Sequence, residues 1–209
     1  MPIVLDIRDD SAVHAAAKRA ADTFGGIDIL VNNASAISLT GTLATPMKRF
    51  DLMFAVNVRG TYCCSPACIP DLKKASNPHI LTLAPPLNMK PKWFKDRVAY
   101  TMAKYGMSMC VLGLAEEFLD DGVAVNALWP RTIVATAALQ LIPGVRPEMG
   151  RKPEILADSA YVIFNRDSRK FSGNFCIDED VLGSEGITDL DGYAFVPGAK
   201  NLLTDLFLD

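Results

Sequence analysis

The sequence predicts an α/β protein built on a doubly wound parallel sheet. Short apolar runs alternate along the chain with longer segments whose apolar residues recur at helical spacing. Polar residues or prolines follow most of these runs closely, as at the ends of strands. Strands that alternate with helices form parallel β-α-β units, and such a sheet carries helices on both of its faces.

Length and composition predict one domain that covers residues 1–209. The chain has 209 residues, of which 50% are hydrophobic and 22% are charged, as in an ordinary globular domain. No internal repeat and no linker divides it. Residues 178–209 are acidic and have no clear period, so we expect them to form an irregular C-terminal extension of that domain.

Charge and cysteine content exclude several classes of partner. The net charge of -3 and the lack of a basic cluster argue against nucleic-acid binding. No apolar stretch reaches the ~18 residues that a membrane span needs, and Asp6 comes too early for a signal peptide, so we expect a cytoplasmic protein. The 5 cysteines lie in apolar surroundings without a CxxC motif. They are expected to be buried, reduced thiols rather than metal ligands or disulfides.

The predicted elements alternate in type along the chain. The predicted strands are residues 3–5, 27–31, 79–83, 123–128 and 174–177. One predicted helix ends at residue 24, and the later ones cover residues 47–72, 98–118 and 153–164. Pro66 and Pro70 lie inside the second of these helices, so we expect a kink or an early end there.

Tyr100 and Lys104 head the helix at 98–118 and lie on one face of it, because residues four apart on a helix lie one above the other. An unperturbed tyrosine has a pKa near ~10, and a neighbouring cation lowers that value. Such a pair is a candidate proton donor and acceptor. The alternative is a tyrosine at the edge of the core beside a lysine whose stem lies on apolar surface.

A stripe of small residues follows an adjacent line of the same helix: Ala99, Ala103, Gly106, Cys110 and Gly113. Small side chains allow another backbone to approach closely. We therefore predict self-association through the helices at 47–72 and 98–118. The alternative is that the stripe packs inside its own subunit.

Several polar residues follow predicted strands. Asp6 follows the first strand, Asn32 and Asn33 follow the second, and Arg131 with Thr132 follows the fourth. In an open parallel sheet, ligands bind beyond the carboxyl ends of the strands. Asp and Asn are also common in ordinary turns, but their joint occurrence favours a binding site.

Four motifs resemble those of the short-chain dehydrogenase/reductase family, and they occur in that family's order: Asn32-Asn33-Ala34, Asn57 within Val-Asn-Val-Arg-Gly, Tyr100-x-x-x-Lys104, and Asn126-Ala-Leu-Trp-Pro130. Further stretches are similar to its hydroxysteroid dehydrogenase-like subgroup. The resemblance implies a Rossmann-like sheet, an oligomer, NAD or NADP as cofactor, and an alcohol or carbonyl compound as substrate.

The same resemblance implies roles for individual residues. Tyr100 would exchange a proton with the substrate, Lys104 would hold the cofactor ribose and lower the pKa of the tyrosine, and Asn57 would anchor a water of the proton relay. The cofactor would be met by residues at the strand ends: Asp6 at the adenine, Asn32 with its neighbours Asn33 and Ala34 near the ribose, and Pro130 with the backbone of Ile133 at the nicotinamide amide.

Two departures from the family pattern leave a second class of function open. The sequence contains no Gly-rich turn of the kind that receives a cofactor pyrophosphate. Ala84 and two prolines occupy the region where the family places a hydrogen-bonding serine, and loss of one such donor costs on the order of 10²-fold in rate. The chain is therefore either an active oxidoreductase or a catalytically impaired fragment or pseudoenzyme that keeps the fold but binds cofactor poorly.

The departure from the family pattern also affects which strands pair at the edge of the predicted sheet. In the family, another strand separates those that correspond to residues 3–5 and 27–31. Since the sequence lacks that strand, we predict that residues 3–5 pair directly with 27–31 in a β-α-β unit. The alternative is that the first 25 residues remain loosely attached.

Overall fold

The computed structural model describes residues 1–142 and 144–209 and confirms the α/β class. Its described residues form one four-stranded parallel sheet in the order β1-β2-β3-β4, with strands at Ile29–Asn32, His79–Thr82, Ala124–Trp129 and Phe175–Ile177. The helices are α1 (Asp10–Phe24), α2 (Met47–Met53), α3 (Thr61–Leu72), α4 (Val98–Glu117), α5 (Glu154–Phe164) and α6 (Asp178–Ser184).

Helices cover both faces of the sheet, as the alternation of elements predicts. On one face Ile80 and Val125 pack with Val111 of α4 and Leu72 of α3. On the other face Leu81 and Leu128 pack with residues of α5 and α6. All residues of β2 and β3 are buried, as expected for central strands of a parallel sheet.

The prediction that residues 3–5 form a strand beside 27–31 is wrong. Residues 1–9 contain no strand, and β1 is the outer strand of the described sheet. The N-terminal segment instead contacts the helical segment that contains Arg59 and Gly60. The Ile7 side chain packs on Gly60, and a side chain at position 60 would collide with it. The Arg59 guanidinium donates to the carbonyl of Arg8. Since no described strand pairs with the outer side of β1, Ile29 and Val31 remain 42% and 45% exposed.

The long helix predicted at 47–72 is interrupted upstream of its prolines. The α-helical turns of α2 pass into a π-helical segment at Phe54–Gly60 and then into α3. Pro66 and Pro70 both lie inside α3, which ends at Leu72. The irregular segment matters for the site, because Asn57 and Gly60 lie in it and are fully or almost fully buried.

The C-terminal residues contribute to the core. After α6 the chain returns to the carboxyl edge of the sheet, where Thr204 pairs in an isolated bridge with Thr132 and Phe207 has no exposed surface. The sequence predicted an irregular extension at 178–209, because its apolar residues have no clear period. That prediction did not include α6 or these contacts.

The stripe of small residues on α4 packs within its own chain at its centre. A Cβ atom at Gly106 would lie 2.6 Å from Cγ2 of Val58, whereas one at Gly113 would have no neighbour within 4 Å. Gly106 therefore permits the close approach of α4 and the π-helical segment, and Gly113 does not face any described part of the chain.

We therefore expect Gly106→Ala to destabilise the protein by about 1–3 kcal/mol, because the added methyl group must displace Val58. For a chain of this size such a loss lowers Tm by roughly 2–4 °C per kcal/mol. The matched control is Gly113→Ala on the same helix, which should raise stability by up to about 1 kcal/mol through helix propensity. Equal effects of the two substitutions in thermal unfolding would contradict this account of the helix contact.

Candidate active site

A largely apolar cavity of about 580 Å³ opens at the carboxyl ends of β1, β2 and β3. Its walls come from those strand ends, from α4 and α5, from residues 133–139, from Ile142 and Val145, and from the C-terminal segment. The side chains with amide, hydroxyl or charged groups that line it are Asn33, Ser35, Tyr100, Lys104, Thr136, Thr204 and Asp205. This is the position at which an open parallel sheet binds ligands.

The first turns of α4 bring Tyr100 and Lys104 into this cavity. Both residues line it, and they are only 5% and 4% exposed. The hydroxyl of Thr101 donates to the carbonyl of Trp93 at 2.6 Å, which fixes the start of the helix against the preceding loop. The spacing of four residues thus places both side chains in the wall of the same cavity.

The ammonium group of Lys104 is held by a backbone carbonyl. Nζ donates to the oxygen of Leu83 at 2.9 Å and lies 5.1 Å from the centre of the Trp129 ring. Burial lowers the pKa of Lys104 to about 8, and the Asp205 carboxylate acts in the opposite direction. Lys104 is thus a buried cation near the end of β2, and its location is set by the strand that precedes Ala84.

The pKa of Tyr100 shifts in the direction opposite to the expected one. Burial raises it above its usual value, and the nearby Asp205 carboxylate raises it further. The Lys104 ammonium instead donates to the carbonyl of Leu83. The Tyr100 hydroxyl has no hydrogen-bond partner among the described residues, so it is available to a bound molecule.

Asn57 lies behind the cavity and not in its lining. Its Oδ1 accepts from the backbone N–H of Ala36 at 2.7 Å, and its Nδ2 donates to the carbonyl of the same residue at 3.0 Å. Both ends of the amide are therefore used to hold the chain after β1. In this arrangement Asn57 supports the position of the cavity wall at Ile37.

The three residues after β1 separate in space. Asn33 lines the cavity, whereas the amide of Asn32 is buried and its Nδ2 is 3.4 Å from the hydroxyl oxygen of Ser65. Ala34 is exposed outside the cavity lining. Of this motif, only Asn33 directly faces the space that a ligand would fill.

Asp6 lies outside the cavity and its carboxylate is already paired. Arg8 donates to both of its oxygens, with Nη2 at 2.5 Å from Oδ2. These hydrogen bonds lower the pKa of Asp6 to about 2. The structure does not bring Asp6 together with Tyr100 and Lys104.

Pro130 and Ile133 also line the cavity. The backbone of Ile133 is already hydrogen-bonded, since its N–H donates to the carbonyl of Leu203 at 2.9 Å and its carbonyl accepts from the N–H of Arg151 at 2.9 Å. These bonds attach the C-terminal segment to the cavity wall rather than leaving the Ile133 N–H for a ligand.

The region after β2 supplies no side-chain donor at its first position. Ala84 is fully buried, and the hydroxyl of Ser108 on α4 is directed to the carbonyl of Pro85 at 2.7 Å. The serine that the family resemblance implies here has no substitute in this loop of the structure.

The C-terminal segment 203–209 is part of the site, although no sequence motif predicted it. Phe207 is buried among aromatic rings, with centroid distances of 5.2 Å to Tyr105, 5.9 Å to Trp93 and Trp129, and 6.3 Å to Tyr100. The carboxylate of Asp209 accepts from Lys90 and Lys92, both at 2.6 Å. The only signal in the sequence is the apolar Leu-Phe-Leu run between two aspartates in an otherwise irregular tail.

Loss of the Phe207 ring should unpack this cluster. We expect Phe207→Ala to lower the free energy of unfolding by about 3–5 kcal/mol, because the ring is fully buried. It should also make Tyr100 more accessible, which tyrosine nitration followed by peptide mapping would detect. Phe195→Ala is the control, since Phe195 is 42% exposed and should cost far less. Similar losses for both variants would mean that the segment is not anchored by Phe207.

Comparison with known proteins places this geometry in a family. The sequence profile described as "short chain dehydrogenase" matches residues 1–143. Hydroxysteroid dehydrogenase-like protein 2 of Rattus norvegicus is 59% identical over 210 residues, and that of Danio rerio is 58% identical over 212. The whole of this chain is covered in both alignments, but it spans only 40% and 50% of those two relatives.

Solved structures agree in fold over nearly the whole chain. A crystal structure from Xanthomonas campestris is 57% identical with a TM-score of 0.95, covering 98% of this chain and 75% of that one. A short chain dehydrogenase from Mycobacterium thermoresistibile is 53% identical with a TM-score of 0.93, covering 100% of this chain and 74% of that one. The motifs that surround Tyr100 and Lys104, the Rossmann-like sheet and these similarities agree: the chain belongs to the short-chain dehydrogenase family.

Proposed function

We propose that the chain is an oxidoreductase that transfers hydride between a nicotinamide cofactor, NAD or NADP, and an alcohol or carbonyl substrate. The observation that carries the proposal is the pairing of Tyr100 and Lys104 in the wall of an apolar cavity at the carboxyl edge of the sheet. A proton donor and a cation in such a cavity suit a reaction in which charge develops on a substrate oxygen.

Tyr100 is the group that would move the proton. Because burial raises its pKa, the phenol remains protonated at neutral pH and can donate to the oxygen of a bound carbonyl compound. Lys104, cationic below a pKa of about 8, would stabilise the phenolate that remains. In its protonated form Tyr100 can act as the acid in carbonyl reduction.

The described residues fit one half of a dinucleotide cofactor. Asn33, Pro130, Ile133 and Lys104 line the cavity around the space that a nicotinamide and its ribose would fill, and a bound cofactor would supply the hydride. The adenine half is not matched, since the carboxylate of Asp6 is engaged by Arg8 outside the cavity.

The competing proposal is a catalytically impaired chain that keeps the fold and self-association but binds cofactor poorly. The paired carboxylate of Asp6 and the missing donor at Ala84 favour it. Nucleotide binding separates the two proposals. Saturable quenching or enhancement of NADH or NADPH fluorescence at micromolar cofactor would support the enzyme, and no binding up to millimolar cofactor would support the impaired chain.

If the enzyme proposal holds, Tyr100→Phe should reduce kcat for reduction of apolar ketones by about 10²-fold or more, because it removes the proton donor. Cofactor affinity should change little, since the ring and Lys104 remain. Tyr161→Phe is the matched control, because Tyr161 is 71% exposed on α5. Unchanged kcat in the Tyr100 variant would show that another group transfers the proton.

We also propose a homo-oligomer formed through α3 and α4. Four apolar residues of α4 are 38–58% exposed on one helical face, namely Val98, Met102, Met109 and Leu112. Tyr62 of α3 is 62% exposed. This exposed stripe, and not the line that contains Gly106, is the surface available for the contact.

A single charge on that stripe should disrupt the assembly. We expect sedimentation velocity at tens of micromolar to show a dimer or larger species for the unmodified chain and a monomer for Met109→Glu. Met89→Glu, on a similarly exposed methionine outside the helices, should leave the oligomer intact. A monomer before any substitution would refute the proposal.

The cellular location belongs with these proposals. No described helix is long and apolar enough to cross a membrane. All five cysteines are free, which is typical of a reducing compartment, and we propose the cytoplasm. Fractionation of cells that express the full natural protein would test this assignment.

A further inference from the structure

Asp205 is a charged residue of the cavity for which the proposed reaction has no role. Among the described lining residues, Lys104 carries the only positive charge and Asp205 the only negative charge. Their charged groups do not form a direct ion pair within 4.0 Å. They therefore act on each other across an apolar space, where the electric field of a charge is weakly screened.

The backbone around Asp205 is fixed on both sides. Its N–H donates to the carbonyl of Arg131 at 3.0 Å, and the carbonyl of Leu206 accepts from the Trp129 indole at 2.9 Å. Two further bonds, at 2.8 and 2.9 Å, hold Leu203 to Met149 and Ile133. Oδ1 of Asp205 accepts from the N–H of Leu206 at 2.6 Å, and Oδ2 has no partner among the described residues. The carboxylate is thus held in the cavity wall with one oxygen available.

A lone ammonium group in such a cavity would lose its proton readily. Transfer of an unpaired charge from water to apolar surroundings is costly, and the group responds by a shift of its pKa toward the neutral form. The carbonyl of Leu83 satisfies one N–H of Lys104 but carries no net charge. Asp205 is the group that can supply the missing negative charge.

We propose that Asp205 is a positioning residue for Lys104: the C-terminal segment carries its carboxylate into the cavity, where it is the counter-charge that keeps the Lys104 ammonium protonated. The same charge makes the cavity neutral overall, which suits an uncharged alcohol or carbonyl substrate. Only this link to an uncharged substrate rests on the proposed function.

Other titratable groups near Asp205 are accounted for. Tyr100 faces it from α4 and is neutral at pH 7, because burial raises its pKa. Asp178, at the start of α6, is fully buried, and burial raises its pKa to about 6. Asp178 accepts from the N–H of Arg131 at 2.8 Å, while the Arg131 guanidinium is turned outward to Asp180 at 2.7 Å. None of these groups replaces the charge that Asp205 places opposite Lys104.

The test measures the pKa of Lys104 in the protein without cofactor or substrate. Competitive acetylation over a pH series, followed by peptide mass spectrometry, gives the apparent pKa of this amine. We expect a value near 8 in the unmodified chain. Asp205→Asn should lower it by about one unit, the size typical of removing one nearby opposite charge.

Two matched variants define the result. Asp209→Asn removes a carboxylate from the same segment, but one that pairs with Lys90 and Lys92 outside the cavity, and it should leave the pKa of Lys104 unchanged. Asp205→Glu keeps the charge and should restore most of the unmodified value. A Lys104 pKa that is the same in Asp205→Asn as in the unmodified chain would overturn the proposal, and so would equal shifts in Asp205→Asn and Asp209→Asn.

A reciprocal measurement remains decisive if Asp205→Asn does not fold. Lys104→Met removes the cation and keeps a side chain of similar length, so the Asp205 carboxyl should titrate at higher pH by a comparable shift in ¹³C NMR. Asp6, which pairs with Arg8 outside the cavity, serves as the internal reference in the same spectra. An unmoved Asp205 titration would reject the coupling. Because neither measurement needs catalysis, failure of the enzyme proposal and failure of this inference are distinguishable.

Discussion

The burial of one ammonium group is the constraint on which the site depends. Lys104 is almost completely enclosed, and an enclosed charge must have polar partners or lose its proton. Its partners come from distant parts of the chain: the carbonyl at the end of β2, the face of Trp129 at the end of β3, and a carboxylate near the C-terminus. The strand ends must therefore align at one edge for the lysine to remain charged.

Local sequence was sufficient for the central strands and for the position of Tyr100 and Lys104 on one helix. Strands β2 and β3 are short apolar runs between turn signals, and a residue spacing of four fixes Tyr100 and Lys104 on one helical face whatever surrounds them. These features depend on neighbours within a few positions. They are the features that the periodicity of a single sequence can predict.

Features that depend on distant contacts were not predictable. The segment at residues 3–5 is apolar enough for a strand, but its position is decided by the space that Gly60 leaves for Ile7, more than 50 positions away in the sequence. The direction of the Tyr100 pKa shift depends on Phe207 and Asp205, which no helical pattern connects to it. Asn57 was identified by motif, yet the backbone of Ala36 takes both of its hydrogen bonds.

The pairing of Asp209 with Lys90 and Lys92 has a consequence for the order of folding. The four parallel strands are adjacent in the order in which they occur in the chain, so the sheet can grow by successive β-α units. The bond from Lys90 to Asp209 instead closes a loop of 119 residues. Closure of long loops is entropically costly and comes after local contacts have formed. A nascent chain would therefore form its sheet before the C-terminal segment brings Asp205 into the cavity. A chain interrupted near the end of synthesis would have the sheet but lack this carboxylate.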